Sequence, residues 1–252
     1  MIILRSLEQS LNGENVDTYV MHDLKTDVIN DVKSILEYYQ ALGFYSLPIS
    51  SGFPVNSHID FSESKNTMLI DLTGEIGDCQ RCKLSKGRKN IVIGAGNADA
   101  KLMFIGEAPG KEEDIQGEPF VGEAGMLLTK LIEKMGFKRD SVYIANIIKC
   151  RPPMNRDPEE DEIISCRSFL DRQIDIIAPK IIITLGRIAL QTLMDNDKIK
   201  ITAARGTFFE YKGIPVMPTF HPAYLLRNPK DKWLTWADVQ KVMERMTNSS
   251  IK

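Results

Sequence analysis

Four cysteines are all that this 252-residue chain contains, and they fall into two distant pairs: Cys79 with Cys82 on a CxxC turn, then Cys150 with Cys166. A CxxC spacing sets two sulfurs close enough to share one metal. The second pair is far off in sequence, so a single four-thiolate site would staple two remote segments around whatever lies between them. The opening residues Met1–Ser6 are apolar, but Arg5, Glu8 and Asn12 soon interrupt them, which makes a poor signal peptide. The expected location is therefore cytoplasmic, where cysteines are ligands more often than disulfides. Spacing alone suits zinc and an iron–sulfur cluster equally.

The region holding the cysteines alternates short apolar runs with helical periods. Ile91–Ile93, Leu102–Ile105, Val142–Ala145, Ile181–Leu185 and Pro215–Thr219 read as strands. Gly122–Met135 reads as a helix with Leu127, Leu128, Leu131 and Ile132 facing inward, and further helices follow Pro158 and Gly186. Strands alternating with helices predict an α/β fold with a mostly parallel central sheet. Ligands of such sheets sit at the carboxyl ends of the strands. Those ends carry Glu107, Asn146, Gly186 and His221.

Ahead of this region the composition changes. Residues 1–74 hold four Lys and Arg against ten Asp and Glu, whereas residues 75–252 hold 28 against 24. Within the acidic part, Val28, Ile29, Val32, Ile35, Leu36, Tyr39 and Leu42 recur at helical spacing, predicting an amphipathic helix over 27–44. Residues 46–66, rich in Ser, Asn, Pro and Gly, read as a linker. The division expected is an N-terminal helical extension over 1–74 and a functional domain over 75–252. The extension either packs on the domain or docks a replication or repair protein.

Four segments carry the chemistry. Gly106-Glu107-Ala108-Pro109-Gly110 is a strand-to-loop turn whose glycines admit a ligand close to the backbone; it lacks the Gly-Lys-Ser/Thr ending of a P-loop and the GxGxxG of a dinucleotide site. Phe120 sits in a glycine-flanked loop, where an aromatic ring either stacks on a flat ligand or plugs the core. Asn146 carries an amide that donates and accepts at once, which suits a base edge, although a lone Asn is more commonly a cap or turn residue. His221 gains weight only from its place at a strand end beside Glu107 and Asn146.

Taken together, GEAPGKEED, GEPFVGEAG, NIIKCRPPMNR and HPAYLLR, in this order and with these cysteines, resemble the family 4 uracil-DNA glycosylases over residues 75–246. The resemblance implies a three-layer α/β/α fold with a four-stranded, mostly parallel sheet, and a [4Fe–4S] cluster on Cys79, Cys82, Cys150 and Cys166. It implies an enzyme, expected as a monomer, that flips uracil out of single- or double-stranded DNA and hydrolyses its glycosidic bond. Gly106, Ala108, Phe120 and Asn146 would hold the base, with Phe120 stacked and Asn146 on the Watson–Crick edge. His221 would sit by O2 and steady the charge of departing uracil. Glu107 and Glu113 would hold water or balance oxocarbenium charge, with Glu113 also placed to obstruct a thymine methyl. The most active superfamily members carry a water-orienting aspartate where this chain has Ala108. For DNA, Lys149, Arg151 and Arg156 would meet phosphates, and Leu225, Leu226 or Arg227 would enter the gap left by the flipped base. The alternative is a uracil-DNA binding protein without turnover. Members that trap the base covalently carry a histidine-bearing basic loop, whereas Ala203–Thr207 here has no histidine.

Overall fold

The computed structural model describes residues 64–249 and, before them, Asn30, Lys33 and Ser34. Apart from those three, which are helical, the helix expected over 27–44 lies outside the described residues, as does all but the end of the expected linker. The chain divides into two units, Met1–Asp60 and Phe61–Lys252. In the second, helix α1 (Lys65–Ile76) begins at Ser64, whose side chain accepts from the Thr67 amide at 3.2 Å, a cap that contributes about 1 kcal/mol. It buries Leu72 and Ile76 against Phe169 and Ile176. The core thus takes in a helix that a boundary at residue 75 leaves to the extension.

After α1 come β1 (Ala95–Gly96), β2 (Leu102–Gly106), α2 (Lys111–Gln116), α3 (Glu123–Lys134) and β3 (Tyr143–Asn146). Next are α4 (Glu160–Ile177), β4 (Ile181–Leu185), α5 (Arg187–Met194) and the short α6 (Ile201–Ala204). The chain finishes with β5 (Phe209–Tyr211), β6 (Ile214–Thr219), α7 (Pro222–Arg227) and α8 (Lys232–Ser249). The strands form one six-stranded sheet in the order β1-β3-β2-β4-β6-β5. Its central four are parallel, as the resemblance implies, and β1 and β5 are antiparallel edges.

Alternation within the strands builds the three layers. Met103, Ile105, Tyr143, Ala145, Ile182 and Val216 point to one face, where Leu170 and Ile174 of α4 and Ala189 and Leu193 of α5 cover them. Leu102, Phe104, Ile144, Ile183 and Met217 point to the other, covered by Leu128 and Ile132 of α3 and Val239 and Val242 of α8. Strands buried on both faces need apolar residues throughout, which is why β2 and β4 read so clearly. Ile91–Ile93 is not a strand. Its one bond to the sheet region is Val92 N–H to the Lys149 carbonyl at 2.8 Å, and its apolar side chains are used to pack beside α1. Among the described residues, no helix is long and apolar enough to cross a membrane.

The helix that follows β2 covers one face, while those following β3 and β4 cover the other. The loops therefore part above the carboxyl end of β2, which opens a crevice there.

Candidate active site and cysteine site

A cleft of about 470 Å³ occupies that crevice. Glu107, Ala108, Glu113, Phe120, Asn146 and His221 all line it. Parallel register sets Gly106 beside Asn146, and the pairing continues past the strands through Ile147 N–H to the Gly106 carbonyl at 3.0 Å. Residue 106 has to be glycine: a Cβ there would collide with Asn146 Oδ1 and lie 2.5 Å from Phe120 Cζ. The backbone of β2 is thus the surface against which the amide and the ring are set.

Asn146 is buried, and its Oδ1 has no hydrogen-bond partner. Leaving a buried acceptor unpaired costs about 1–3 kcal/mol. A fold retains such an atom where a ligand satisfies it.

Phe120 has φ +54°, in the left-handed region where a bulky residue is strained by roughly 1–3 kcal/mol. Three contacts hold it there. Glu113 Oε1 accepts from Val121 N at 2.9 Å and Gly122 N at 3.0 Å, while its Oε2 accepts from Gly110 N at 3.1 Å. Arg139 donates to the Pro119 carbonyl from the far side. Gly125 lets the start of α3 press on the Phe120 carbonyl, where any Cβ would clash. Glu113 is therefore spent on backbone amides, and its carboxylate braces the loop that aims the ring.

His221 caps α7, its Nδ1 accepting from Ala223 N at 3.1 Å. With Nδ1 an acceptor, the proton of the neutral ring sits on Nε2. Burial, reinforced by the nearby Arg227 charge, pushes the imidazole pKa down to about 4, so the ring is neutral at ordinary pH. Its centroid lies 5.7 Å from that of Phe120. Glu107 moves the opposite way. Burial and the neighbouring Asp157 push its carboxyl up to about 7, against the pull of Arg187. The Asp157–Arg187 pair closes at 2.5 Å. Neither member was read from the sequence, because only the fold brings the loop after β3 to the start of α5. Tyr224, one helical turn after His221, also lines the cleft, and no sequence signal marks it for the site.

The predicted DNA contacts separate. Leu226 is exposed, and Arg227 lines the cleft, with Arg151 half-buried nearby. Leu225 is 4% exposed and packs into the core, so it cannot meet DNA; neighbours on a helix point about 100° apart. Lys149, expected at a phosphate, is likewise no DNA contact. It is 2% exposed, with Nζ donating to the Asn146 carbonyl at 2.8 Å and to Gln173 Oε1 at 2.6 Å. It is a strut beneath Asn146, out of reach of any phosphate. Arg156 lines the cleft, but its guanidinium is bidentate on the buried Glu162 at 2.9 and 2.6 Å.

Cys79, Cys82, Cys150 and Cys166 line one further cavity, walled by Ile76, Ile91 and Phe169. All four are free thiols. Guanidinium groups reach two of the sulfurs, Arg81 to Cys79 at 3.3 Å and Arg88 to Cys150 at 3.6 Å. Among the described residues, no three His, Cys, Asp or Glu side chains close on a point as for a single metal ion.

Residues 93–243 match the model of the uracil DNA glycosylase superfamily. The chain is similar to the type-4 uracil-DNA glycosylase of Saccharolobus solfataricus, with 49% identity over 188 residues, 71% of this chain and 87% of the relative. A protein of the same description from Thermotoga maritima is 48% identical over 162 residues, covering 64% and 84% of the two chains. That from Archaeoglobus fulgidus is 42% identical over 183 residues, covering 70% and 92%.

Proposed function

Given that the chain belongs to the uracil-DNA glycosylase superfamily and to its type-4 members, we propose that it excises uracil from DNA by hydrolysing the N-glycosidic bond. Free uracil and an abasic site are the products, and the role is base excision repair. The observation that carries this reading is the buried, unpartnered Oδ1 of Asn146 at the floor of the cleft. Uracil offers N3–H as a donor beside O4 as an acceptor, and one amide meets both. Cytosine presents the inverted pattern at these positions and would leave two polar groups unpaired.

The flipped base enters the cleft and stacks on Phe120, whose strained backbone keeps the ring in place before substrate arrives. His221 then donates Nε2–H toward O2. As the glycosidic bond lengthens, electrons pass to uracil and negative charge gathers on O2, so this bond strengthens in the transition state. A ring with a pKa of about 4 does this as the neutral species. Glu107 stands where it can orient the attacking water and offset positive charge on the sugar. Glu113, engaged by three amides, acts as a positioning residue. The capture alternative gains nothing from the 203–207 loop, whose Arg205 turns away to Asp238 and the Leu234 carbonyl.

We further propose that the four cysteines hold a [4Fe–4S] cluster. The donor set fits: four free thiols share one cavity, and two arginines are set to donate N–H bonds to sulfur. Its part is structural, tying the α1 end to α4 and to the loop that follows Cys150. The Asn30-containing extension, acidic and apolar by turns, is proposed to dock a replication or repair protein, and the domain to act as a monomer.

The direct test incubates the protein with a single-stranded and a double-stranded oligonucleotide, each holding one uracil, and counts alkali-sensitive sites. More than one site per enzyme supports turnover. Binding without turnover would favour the capture alternative, and no uracil-dependent signal would end the reading.

The carboxyl of Glu107 gives a pH prediction. If its ionised form orients water, kcat/KM should climb as pH rises through about 7, and Glu107→Gln should flatten that limb and lower the plateau. Stability runs the other way. A folded pKa above the unfolded 4.5 means that the folded state loses stability as pH rises toward and past 7. Glu107→Gln should therefore be slower yet more heat-resistant than the parent at pH 8, and no more so at pH 4. Thermal melts at the two pH values check it.

A further inference from the structure

Met154 is 93% exposed, the most exposed of the large apolar side chains described. It stands at the tip of the Pro153–Asn155 turn, and both it and Asn155 have left-handed backbones, with φ +57° and +53°. Neither is glycine, which would adopt such angles at little cost. The turn is nonetheless firmly built. Asn155 N–H bonds to the Pro152 carbonyl and Arg156 N–H to that of Pro153, both at 3.1 Å. Arg151 Nε donates to Asn155 Oδ1 at 2.7 Å, and Arg156 is clamped on Glu162. A strained but braced turn that holds out an unbranched apolar side chain is a tool for reaching into something.

Its position says into what. Pro152, Asn155, Arg156 and Asp157 line the cleft on the side of β3. Leu226, the exposed apolar residue of α7, belongs to the wall that rises from β6, three strands further across the sheet. The cleft thus lies between two apolar tips. Resting on the glycosylase reading, we propose that Met154 is a second wedge, inserting into the base stack of duplex DNA on the side of the flipped nucleotide away from Leu226. A thioether is polarisable and adapts its shape, which suits contact with the faces of unstacked bases. Single strands have no partner stack to hold apart, so the residue selects for action on duplexes.

The test compares kcat/KM of Met154→Ala and Met154→Leu on the same uracil-containing oligonucleotide, single-stranded and annealed. The expected result is a loss of about tenfold or more on the duplex for Met154→Ala, a change under about twofold on the single strand, and near-parental behaviour of Met154→Leu on both. Being exposed, the position should leave the melting temperature unchanged. Equal losses on the two substrates, or none on either, would overturn the wedge while the glycosylase reading stood. If the parent protein cleaved neither substrate, that reading would fail and the wedge with it.

Discussion

Asn146→Ala is expected to lower kcat/KM on uracil-containing DNA by about a thousandfold or more, roughly 4 kcal/mol of transition-state binding. The size follows from what the amide faces. A site that hydrogen-bonds its substrate through buried polar groups discriminates by about 10⁴–10⁵ against analogues that cannot reciprocate. Removing the amide withdraws both the acceptor for N3–H and the donor for O4. The fold should not suffer in proportion. Oδ1 is already buried without a partner, so its desolvation is a cost that the folded protein carries, and alanine removes it. Melting temperature should stay level or rise slightly, with the small cavity left by the side chain working against the gain. Asn146→Asp sharpens the point: a carboxylate keeps an acceptor for N3–H but has no donor for O4, so it should lose uracil. Its protonated form donates to cytosine N3 and accepts from N4–H, so any rate gained on cytosine should appear as pH falls. Activity and stability falling together in Asn146→Ala would instead make the residue a structural cap.

The parts of this molecule that were legible in the sequence are those where one physical demand dominates. β2 and β4 are apolar at nearly every residue, Thr184 being the polar exception, because both faces are covered, and that leaves an unmistakable run. The ends of parallel strands predict a cleft, so the strand pattern alone brings Glu107, Asn146 and His221 together. β1 and β5 are two and three residues long, and their pairing is imposed by neighbours distant in sequence. Side-chain direction was the other hidden quantity. Lys149 lies beside Cys150 in a basic stretch, yet the chain turns inward there to deliver that cysteine to its cavity, and the lysine goes with it. Leu225 and Leu226 are the same residue type in adjacent places, and only the packing of α7 decides which is buried. The tautomer of His221 was equally out of reach, because it depends on a backbone N–H that exists only once Pro222 has started a helix.

Cys79→Ala is expected to yield a colourless protein with little iron or acid-labile sulfide and with most of its stability gone. Cys79 sits three residues past the end of α1 and packs with Leu72, Ile76, Phe169 and Ile176, so it lies at the seam between α1 and α4. That seam is a small apolar cluster, separate from the two that cover the sheet. Metal–thiolate sites in small domains contribute on the order of 10 kcal/mol to folding, as much as the whole net stability of a typical domain. Without metal, burial keeps Cys150 and Cys166 as neutral thiols, so the emptied apolar cavity holds no bond that ties α1 to α4. Loss should spread in one direction. Cys150 leads straight into Arg151–Arg156, the wall that carries Asn155 and Met154, so any folded fraction should show a raised KM for DNA before kcat changes. The β3 end, held through Lys149 to Gln173 and Tyr143, should keep Asn146 in place. Iron and sulfide content, melting temperature and the KM-against-kcat split together decide the matter. A colourless variant as stable and active as the parent would show that the cysteines do not hold this fold together, and zinc in the parent protein would replace the cluster with a single ion.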